Sequence, residues 1–461
     1  MSLPFAARRA ALHRLTGAPV LLVNNGERPR NLPMNRLPFR SDSSFLYFTG
    51  CSQPGAAALI ENGACTLFLE APAPDDALWH GAMPGLAEQA AAVGAEHVAP
   101  LEELESACKK HANLLALSVP DADMTALAGR LTGLPLAYPG KNPDKLVDAI
   151  IQLRRRRDAW EIAEQRKAAV ITTKAHLAAM RGTRVGGHER HVAALFDGVL
   201  AAEGATSGYH SIVTVRGEVL HNHHYIHPLQ AGDLLLLDGG AEIDSGYSSD
   251  VTRTWPVTGR FDGRQAAMYS LCLAAQKWGI EQVRPGTRYR DIHFGCMKII
   301  ATGLREEGLL RCSAEEAVET GAVGLFFPHG VGHLLGLDVH DLENFGDRPA
   351  YAPGRVRPTQ FGARYLRMDL DLEPGIVLTI EPGIYFVPAI LHDPALRAEH
   401  RDRVHFEKAE SFLGFGGIRI EDDVLVTEGA PEVLTAAIPK EIAALEAVVG
   451  TGLSAGERFF A

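Results

Sequence analysis

The sequence predicts a mixed α/β (α+β) protein with two domains, a smaller one over residues 1–152 and a larger one over 153–461. Three observations support this prediction. The chain has 461 residues, more than the roughly 250–300 that a single hydrophobic core usually holds. Strand-like and helical patterns alternate through the first 150 residues, as in a compact α/β domain. Beyond about residue 155, longer helices flank strand-rich and glycine-rich stretches, which indicates a second domain.

The N-terminal domain is predicted to contain one helix over 1–16, then mostly short strands, then four helices. The strand-like runs, rich in β-branched and aromatic residues, are Ala18–Asn25, Ser44–Thr49, Ala56–Ile60 and Cys65–Leu69. The helical patterns that follow cover 86–94, 101–112, 121–131 and 143–152.

Four consecutive arginines, Arg154–Arg157, lie where the two predicted domains meet. We expect them to open a long helix that continues to about residue 181. Such a run can contact nucleic acid, but a net charge of −11 disfavours this use here. A solvated helix start, or a contact between domains or subunits, is the favoured interpretation.

The larger domain is predicted to contain further helices and several strands that end in acidic residues. The helices cover about 188–203, 261–283, 289–309 and 438–449. The acidic strand ends occur as one pair near 238 and 250 and a second pair near 381 and 421. This echo predicts two similar α/β halves that face each other.

The composition disfavours several classes of protein. The acidic surplus repels phosphate backbones and anionic lipid, so neither nucleic acid nor membrane is an expected partner. No stretch approaches the ~18 consecutive apolar residues of a spanning helix, and Arg8, Arg9 and Arg14 interrupt any signal-peptide core. The 6 cysteines form no Cys-x-x-Cys pair, which favours reduced thiols and a cytoplasmic location.

Two aspartates stand where ionised groups are unexpected. Asp238 ends the apolar run Leu234–Leu237, which predicts a strand buried on both faces. A buried carboxylate must be paired or must bind a metal ion. Gly246 allows the chain to turn before Asp250, so an antiparallel hairpin would bring the two aspartates together. Taken alone, each of them could instead cap a turn.

Two glutamates repeat this pattern. Glu381 follows the strand-like run 376–380, and Glu421 follows the run 417–420. Because strand side chains alternate between faces, Arg419 and Glu421 share one face. A buried Arg419–Glu421 ion pair is therefore the alternative to a metal ligand at Glu421.

A glycine-rich stretch presents His329, His333 and, further on, His340. His329 and His333 have the spacing of a zinc-binding helix, but two glycines separate them and no glutamate follows His329. A glycine-bounded loop that presents histidines fits better. A single histidine in such a loop would more often be structural.

Together these residues predict a site for two divalent metal ions. Four carboxylates and one imidazole form a hard, oxygen-rich ligand set, which favours Mn²⁺ over Zn²⁺, with Co²⁺ or Fe²⁺ as further alternatives. Two ions ~3.5–4 Å apart would share a water, lower its pKa and polarise a carbonyl group. The predicted chemistry is therefore hydrolysis.

At these residues the sequence resembles the Xaa-Pro peptidases of the creatinase-like pita-bread fold, namely aminopeptidase P and prolidase. The motifs that carry the resemblance are Leu236–Gly240, Ser249–Thr254, His329–His333, Leu337–Asp341, Thr379–Tyr385 and Gly417–Asp423. The stretch Pro38–Gly50 also resembles the family's aminopeptidases. The resemblance implies a pita-bread catalytic domain over 153–461 and a creatinase-like N-terminal domain over 1–152.

The resemblance assigns roles in metal binding to five residues of this sequence. Asp238 would bind one ion, and Asp250 and Glu421 would bridge the two. His333 and Glu381 would complete the other, and Glu381 would also handle the proton of the attacking water.

The resemblance also implies a set of substrate residues. His340 would steady the oxyanion and His221 would hold the substrate backbone, while Tyr209, Tyr385 and Arg419 match family positions near the site. Three further histidines are interpreted as surface or structural residues: His223, His224 and His227.

The residues after the scissile bond distinguish the two main candidate functions. An aminopeptidase needs an open path for the rest of the peptide, and Pro38–Gly50 favours this function. A dipeptidase needs a cation for the terminal carboxylate, and Arg367 matches the carboxylate-binding arginine of prolidase, although it could equally pair with Asp369 or Asp371. A metal-free binding module and a methionine aminopeptidase are remote alternatives. The expected partners are peptides with proline second and further copies of the chain, as a homodimer or homotetramer.

Overall fold

The computed structural model describes residues 3–73 and 75–459. The chain divides into two compact units. The first comprises the residues up to Arg156 together with Leu342–Pro349, and the second comprises Arg157–Asp341 and the residues from Ala350 onward. The predicted mixed α/β class is confirmed.

The first unit contains a five-stranded mixed sheet with the order β4-β3-β2-β1-β5. Its strands are β1 (Val20–Val23), β2 (Ala57–Glu61), β3 (Ala64–Leu69), β4 (His97–Pro100) and β5 (Leu115–Ala116). Its helices are α1 (Phe5–Thr16), α2 (Ser43–Thr49), α3 (Asp76–His80), α4 (Leu86–Ala92), α5 (Leu104–Cys108), α6 (Ala122–Thr132) and α7 (Asp144–Arg154). The helix predicted over 1–16 is thus observed from Phe5, while Met1 and Ser2 lie outside the described residues.

The prediction of a strand over Ser44–Thr49 is wrong, because this segment forms helix α2. Asp42 caps the helix by accepting a hydrogen bond from the Phe45 amide, and Gly50 ends it with a φ of 67°. Every side chain from Ser43 to Thr49 is buried, so the apolar pattern carries no helical period. A fully buried short helix and a buried strand look alike in sequence.

The predicted long helix is observed and ends at Gly182, but Arg154–Arg157 do not open it. Arg154 instead closes α7, and the next helix begins at Ala159 behind a capping box formed by Asp158 and Glu161. Arg154 and Arg157 are buried, so a solvated helix start does not describe them. Within the first unit, the Arg154 guanidinium donates to the hydroxyl of Ser44 at 3.0 Å.

The second unit surrounds several small sheets with long helices. The helices are α8 (Ala159–Gly182), α9 (Glu189–Ala202), α10 (Gly263–Glu281), α11 (Tyr289–Glu306), α12 (Ala314–Thr320), α13 (Pro388–Leu391), α14 (Pro394–His400), α15 (Phe406–Glu410), α16 (Ile442–Val448) and α17 (Ala455–Phe459). The strands are β6 (Thr206–Ser207), β7 (Ile212–Thr214), β8 (Leu234–Asp238), β9 (Ala241–Glu242), β10 (Thr252–Pro256), β11 (Val377–Ile380), β12 (Gly383–Tyr385), β13 (Gly417–Arg419), β14 (Asp422–Leu425) and β15 (Glu432–Val433).

Two three-stranded sheets position the acidic residues of the second unit. Their orders are β10-β8-β7 and β11-β14-β15, and all of their strand pairs are antiparallel. A large apolar core that includes Phe196, Trp255 and Phe326 packs the helices against these sheets. Among the helices of the described ranges, none combines the length and the apolar character needed to cross a membrane.

Candidate metal centre

The first pair of acidic residues lies at one end of the β8–β10 hairpin. Asp238 is the last residue of β8 and stands opposite Thr252 of β10. Asp250 lies two residues before β10, so the two carboxylates meet, as the sequence predicts. The backbone amide of Asp250 donates to the carboxylate of Asp423 at 3.0 Å, which fixes the turn that presents Asp250.

The second pair lies at the corresponding end of β11 and β14. Ile380 stands opposite Asp422 in this antiparallel pair. Glu381, directly after β11, and Glu421, directly before β14, are therefore neighbours. The hydroxyl of Thr252 donates to Glu421 Oε2 at 2.7 Å, which joins the second pair to the β8–β10 hairpin.

His333 completes a group of ligand atoms between these strand ends. Ligand atoms of Asp250, His333 and Glu421 all lie within 4.8 Å of one another. His333 Nε2 is 3.3 Å from Asp250 Oδ2 and 3.6 Å from Glu381 Oε1. Its Nδ1 lies 3.0 Å from the carbonyl oxygen of Leu334, which only accepts hydrogen bonds. Nδ1 therefore carries a proton. Burial opposes the protonated ring, but the hydrogen bond with Asp250 and the charge of Glu381 outweigh burial and raise the pKa of His333 to about 9. Nε2 thus faces the carboxylates as the atom that would bind a metal ion in place of its proton.

Asp238 joins the cluster through two polar side chains. The Tyr209 hydroxyl lies 2.5 Å from Asp238 Oδ1 and also contacts the carboxyl group of Asp250, so its single proton is shared between these two groups. The Arg419 guanidinium contacts the other oxygen of Asp238, and it also donates to Tyr385 at 3.0 Å. Arg419 thus pairs with Asp238, and the alternative ion pair with Glu421 is wrong.

Burial and like charges raise the pKa of the clustered carboxyl groups. Burial raises the pKa of Asp238, since it outweighs the opposing charge of Arg419, and the nearby charge of Asp250 adds to the rise. Burial together with the charges of Asp250 and Glu381 raises the pKa of Glu421 well above its ordinary value. Burial likewise raises the pKa of Glu381 to about 7. Buried anions of this kind need a compensating cation, so the donor set fits divalent metal ions.

A cavity of about 950 Å³ opens onto the cluster. Its wall contains all the predicted site residues except Tyr385: Tyr209, His221, Asp238, Asp250, His333, His340, Arg367, Glu381, Arg419 and Glu421. The His340 ring lies 4.3 Å from that of His333, centroid to centroid. The Arg367 guanidinium is 3.4 Å from His340 Nδ1. Asp369 and Asp371 pair with Arg288 and Arg355 instead of Arg367, so the interpretation of Arg367 as their surface partner is wrong.

Tyr385 is fully buried behind this wall, and its hydroxyl contacts His329 Nε2 at 2.9 Å as well as Arg419. His329 itself lines the cavity, although the sequence did not place it in the site. Burial and the nearby charge of Arg419 lower the pKa of His329 to about 3, so the ring is neutral. The spacing of the glycine-bounded motif was the available signal, and it does not distinguish a cavity residue from a structural one.

The three further histidines of the sequence analysis lie apart from the metal-ligand cluster: His223, His224 and His227. His223 lines the cavity, where its ring stacks on His210 at 4.3 Å. His227 Nδ1 contacts the buried carboxylate of Glu189 at 2.9 Å, and His224 is exposed. Glu218 is a further wall residue that sequence reasoning missed; it is buried, and its Oε1 accepts a 2.7 Å hydrogen bond from Arg216.

Two family models match the chain. Residues 163–428 match metallopeptidase family M24, and residues 5–116 match the N-terminal domain of aminopeptidase P. The first match contains all five predicted metal ligands. The resemblance on which the sequence-based expectations rest is thereby confirmed.

Individual relatives agree with these matches over almost the whole chain. A probable Xaa-Pro aminopeptidase of Verticillium alfalfae is 33% identical over 422 residues, which are 90% of this chain and 88% of the relative. The structure of Pseudomonas aeruginosa aminopeptidase PepP is 29% identical, with a TM-score of 0.79 over 96% of this chain and 97% of its own. Zinc-substituted Escherichia coli aminopeptidase P in complex with product is 26% identical, with a TM-score of 0.78 over 97% and 98% of the two chains. The chain therefore belongs to metallopeptidase family M24, in the group that carries an aminopeptidase P N-terminal domain.

Proposed function

We propose that this chain is a metal-dependent Xaa-Pro aminopeptidase, which hydrolyses the peptide bond between an N-terminal residue and proline. The observation that carries the proposal is the buried cluster of carboxylates and His333 at a cavity that also contains His221 and His340. The relatives named as Xaa-Pro aminopeptidases, which span about nine-tenths of the chain, support the same activity.

We further propose that the site holds two divalent ions, preferentially Mn²⁺, through Asp238, Asp250, His333, Glu381 and Glu421. The oxygen-rich ligand set favours Mn²⁺. When bound, the ions would supply a water of lowered pKa and polarise the scissile carbonyl. Glu381 lies beside His333 in the cluster and lines the cavity, so its carboxylate is suited to accept the proton that the water releases.

His340 is suited to donate a hydrogen bond to the developing oxyanion. Burial and the charges of His333 and Arg367 lower the pKa of His340 to about 2, so its ring is neutral. A guanidinium only donates, so Nδ1 of His340 accepts from Arg367 and Nε2 carries the proton. Nε2 is then the donor nitrogen of the ring, as stabilisation of an oxyanion requires.

Recognition of proline must use ring shape, because the tertiary amide has no N–H to bind. Apolar side chains on the cavity wall provide a surface for the ring: Pro328, Phe361, Val387 and Ile390. We propose that His221 holds a flanking backbone carbonyl, while Tyr209, Tyr385 and Arg419 orient the acidic residues around the substrate amine.

A dipeptidase is the second candidate function, because Arg367 lies in the cavity beside His340. A guanidinium there could bind the terminal carboxylate of an X-Pro dipeptide. The discriminating assay compares Gly-Pro with Gly-Pro-Pro and a longer X-Pro peptide in the presence of Mn²⁺. Cleavage of the longer peptides supports the aminopeptidase, and cleavage of the dipeptide alone contradicts it.

Arg367→Ala tests the carboxylate clamp directly, with Arg401→Ala as the control, since Arg401 is an exposed arginine outside the cavity wall. If Arg367 binds the terminal carboxylate, dipeptide cleavage falls by about tenfold or more while tripeptide cleavage persists, since a charge-assisted bond contributes about 1.5–3 kcal/mol. Equal loss for both peptides would instead assign Arg367 to the reaction itself, through His340.

We also propose a cytoplasmic homo-oligomer with functional domains over 1–152 and 153–461. All six cysteines are buried free thiols, which supports a reducing compartment. Light scattering of the purified protein tests the oligomeric state, and a monomeric mass at micromolar concentration would contradict this part of the proposal.

A further inference from the structure

Arg157 is buried inside the second unit against the segment that presents His340. We call Leu334–Asp341 the histidine loop, since it follows His333 and contains His340. The side chain of Arg157 is 1% exposed and that of Asp341 is 0% exposed. Arg157 belongs to the arginine run whose purpose the sequence left open.

The guanidinium of Arg157 holds the histidine loop at two points. Its Nη2 donates to the carbonyl oxygen of Leu335 at 2.8 Å and also contacts the carboxylate of Asp341. The two contacts lie near the start and at the end of the loop. Arg157 itself is anchored by its backbone amide, which donates to the carbonyl oxygen of Gly375 at 2.7 Å.

The loop closes on itself around this guanidinium. The amide of Asp341 donates to the carbonyl oxygen of Leu334 at 3.0 Å, and the amide of Asp338 donates to the Asp341 carboxylate at 3.2 Å. The amide of Leu335 donates to Val377 of β11, the strand that leads to Glu381. The conformation that presents His340 is therefore tied to Asp341 and, through it, to Arg157.

Gly336 shows how tightly the loop surrounds the cation. A Cβ atom at this position would lie 2.2 Å from Arg157 Nη2 and 2.8 Å from Asp341 Oδ2. Contacts this short are sterically forbidden, so a side chain at residue 336 must displace either the loop or the guanidinium. Glycine at position 336 therefore leaves the space that the Arg157 guanidinium occupies.

We propose that Arg157 is a positioning residue that sets the catalytic geometry of His340 by anchoring the histidine loop. The proposal rests on the proposed function, in which His340 contacts the reacting carbonyl. Arg157 itself touches no substrate. A buried ion pair of this kind contributes little net stability but favours the one conformation in which its partners meet.

A double-mutant cycle on kcat/KM tests whether Arg157 acts through His340. The variants are Arg157→Lys, His340→Ala and the combination of both, assayed on Gly-Pro-Pro with Mn²⁺. Lysine keeps the charge but cannot make both contacts, so Arg157→Lys should lower kcat by about 10- to 100-fold with little change in KM. In the His340→Ala background the same change should have almost no further effect. Equal effects in both backgrounds would overturn the proposal.

Gly336→Ala provides a second perturbation, which changes neither Arg157 nor Asp341 to another residue. Gly429→Ala is the matched control, because a Cβ there meets nothing within 4 Å. We expect Gly336→Ala to reproduce the loss in kcat and Gly429→Ala to retain wild-type activity. Wild-type kcat in Gly336→Ala would overturn the proposal even if Arg157→Lys fails to fold.

Hydrogen–deuterium exchange separates this inference from the proposed function, since it needs no activity. Arg157→Lys and Gly336→Ala should each speed exchange across residues 334–341 while residues 234–256 remain protected as in the wild type. Unchanged exchange in the histidine loop contradicts the anchoring role. If the loop loosens but the wild type cleaves no X-Pro peptide, the anchoring stands and the proposed function is wrong.

Discussion

Residues outside the carboxylate–histidine cluster form hydrogen bonds that orient two of the residues in the candidate site. His333 Nδ1 donates a hydrogen bond to the carbonyl oxygen of Leu334, and the backbone amide of Asp250 donates one to the carboxylate of Asp423. Such partners fix the orientation of a ligand before an ion binds, and they raise its basicity. These two proposed ligands are therefore oriented in advance within the second unit.

Asp250→Asn and Glu421→Gln should each lower the affinity for Mn²⁺ by at least about 100-fold and abolish turnover, because each removes a charged ligand from the cluster. Asp244→Asn is the matched control, since Asp244 is exposed in the same β8–β10 connection. Titration calorimetry measures the affinity. Wild-type affinity in Asp250→Asn would contradict its assignment as a ligand.

The buried His293 of α11 should make the stability of the folded protein sensitive to acid, independently of the metal centre. Neither of its ring nitrogens has a hydrogen-bond partner among the described residues, and burial with the charge of Arg290 lowers its pKa to about 3. The unfolded chain takes up this proton below its ordinary pKa of about 6.5. Stability is therefore complete above about pH 6.5 and declines as the pH falls towards 3.

His293→Leu removes this titration, so it should lose less stability on acidification than the wild type. Between pH 7.5 and pH 5, the wild type should lose about 2 kcal/mol more unfolding free energy than His293→Leu. Guanidinium titrations at the two pH values measure it, with the exposed His392→Leu as control. Parallel pH dependence in wild type and His293→Leu would show that His293 is not neutral in the folded protein.

At this scale the sequence indicated the proposed acidic ligands because Asp238, Glu381 and Glu421 each follow a strand-like run, where an ionised group is anomalous. The turn at Gly246 placed Asp250 beside Asp238. The contacts of His329, Glu218 and the Tyr209 hydroxyl were not predictable, although His329 stands in the glycine-bounded motif and Tyr209 matches a family position. Their positions depend on contacts between segments far apart in the chain, such as Tyr209 with Asp238 and Asp250.

At the scale of elements, the strand pairs of the second unit bring the acidic residues together. Asp238 and Asp250 meet because β8 and β10 pair antiparallel, and Glu381 and Glu421 meet in the same way through β11 and β14. The β8–β10 hairpin was predictable, since a turn that contains Gly246 separates its two strands. The pairing of β11 with β14 was not, because it joins segments that are far apart in the sequence. Helix α2 was not, because a segment buried on all sides loses its period.

Helix α10 contacts the site through its buried face. Removing its N-terminal cap tests whether the stability of the helix can change without a change in catalysis. Gln276 of this helix donates to Asp422 at 2.8 Å, beside Glu421. Asp262 caps the helix by accepting from the Gln265 amide at 2.8 Å. Asp262→Ala should lower the free energy of unfolding by about 1 kcal/mol, whereas Asp262→Asn should retain most of it.

Chemical denaturation measures this difference, and kcat/KM should stay unchanged in both variants because the cap lies at the far end of the helix from Gln276. Equal stability of Asp262→Ala and Asp262→Asn would show that the capping bond contributes nothing.

At the scale of the whole molecule, the two-part organisation and the acidic surplus were both readable from the sequence. The net charge of −11 includes the four carboxylates of the cluster, so part of the surplus compensates proposed metal ions. The exact division of the chain was not predictable. Leu342–Pro349 groups with the first unit although it follows His340 in sequence, and only tertiary contacts reveal such an excursion.

Metal binding should also stabilise the whole second unit, because the ions bind the folded chain and not the unfolded one. An ion at 100 times its Kd adds about 2.7 kcal/mol to the free energy of unfolding. Calorimetry should therefore show a lower unfolding temperature after chelation and a recovery when Mn²⁺ is added back. Asp250→Asn should show no such recovery, and an equal recovery in that variant would assign the effect to another site.

The most direct test of the account strips the protein with chelator and titrates Mn²⁺ back while both bound metal and hydrolysis of an X-Pro tripeptide are measured. The account predicts no turnover in the stripped protein. It also predicts that activity returns as the site fills to about two ions per chain. Full turnover in a thorough excess of chelator, or a fully loaded protein that cleaves no X-Pro bond, would contradict it.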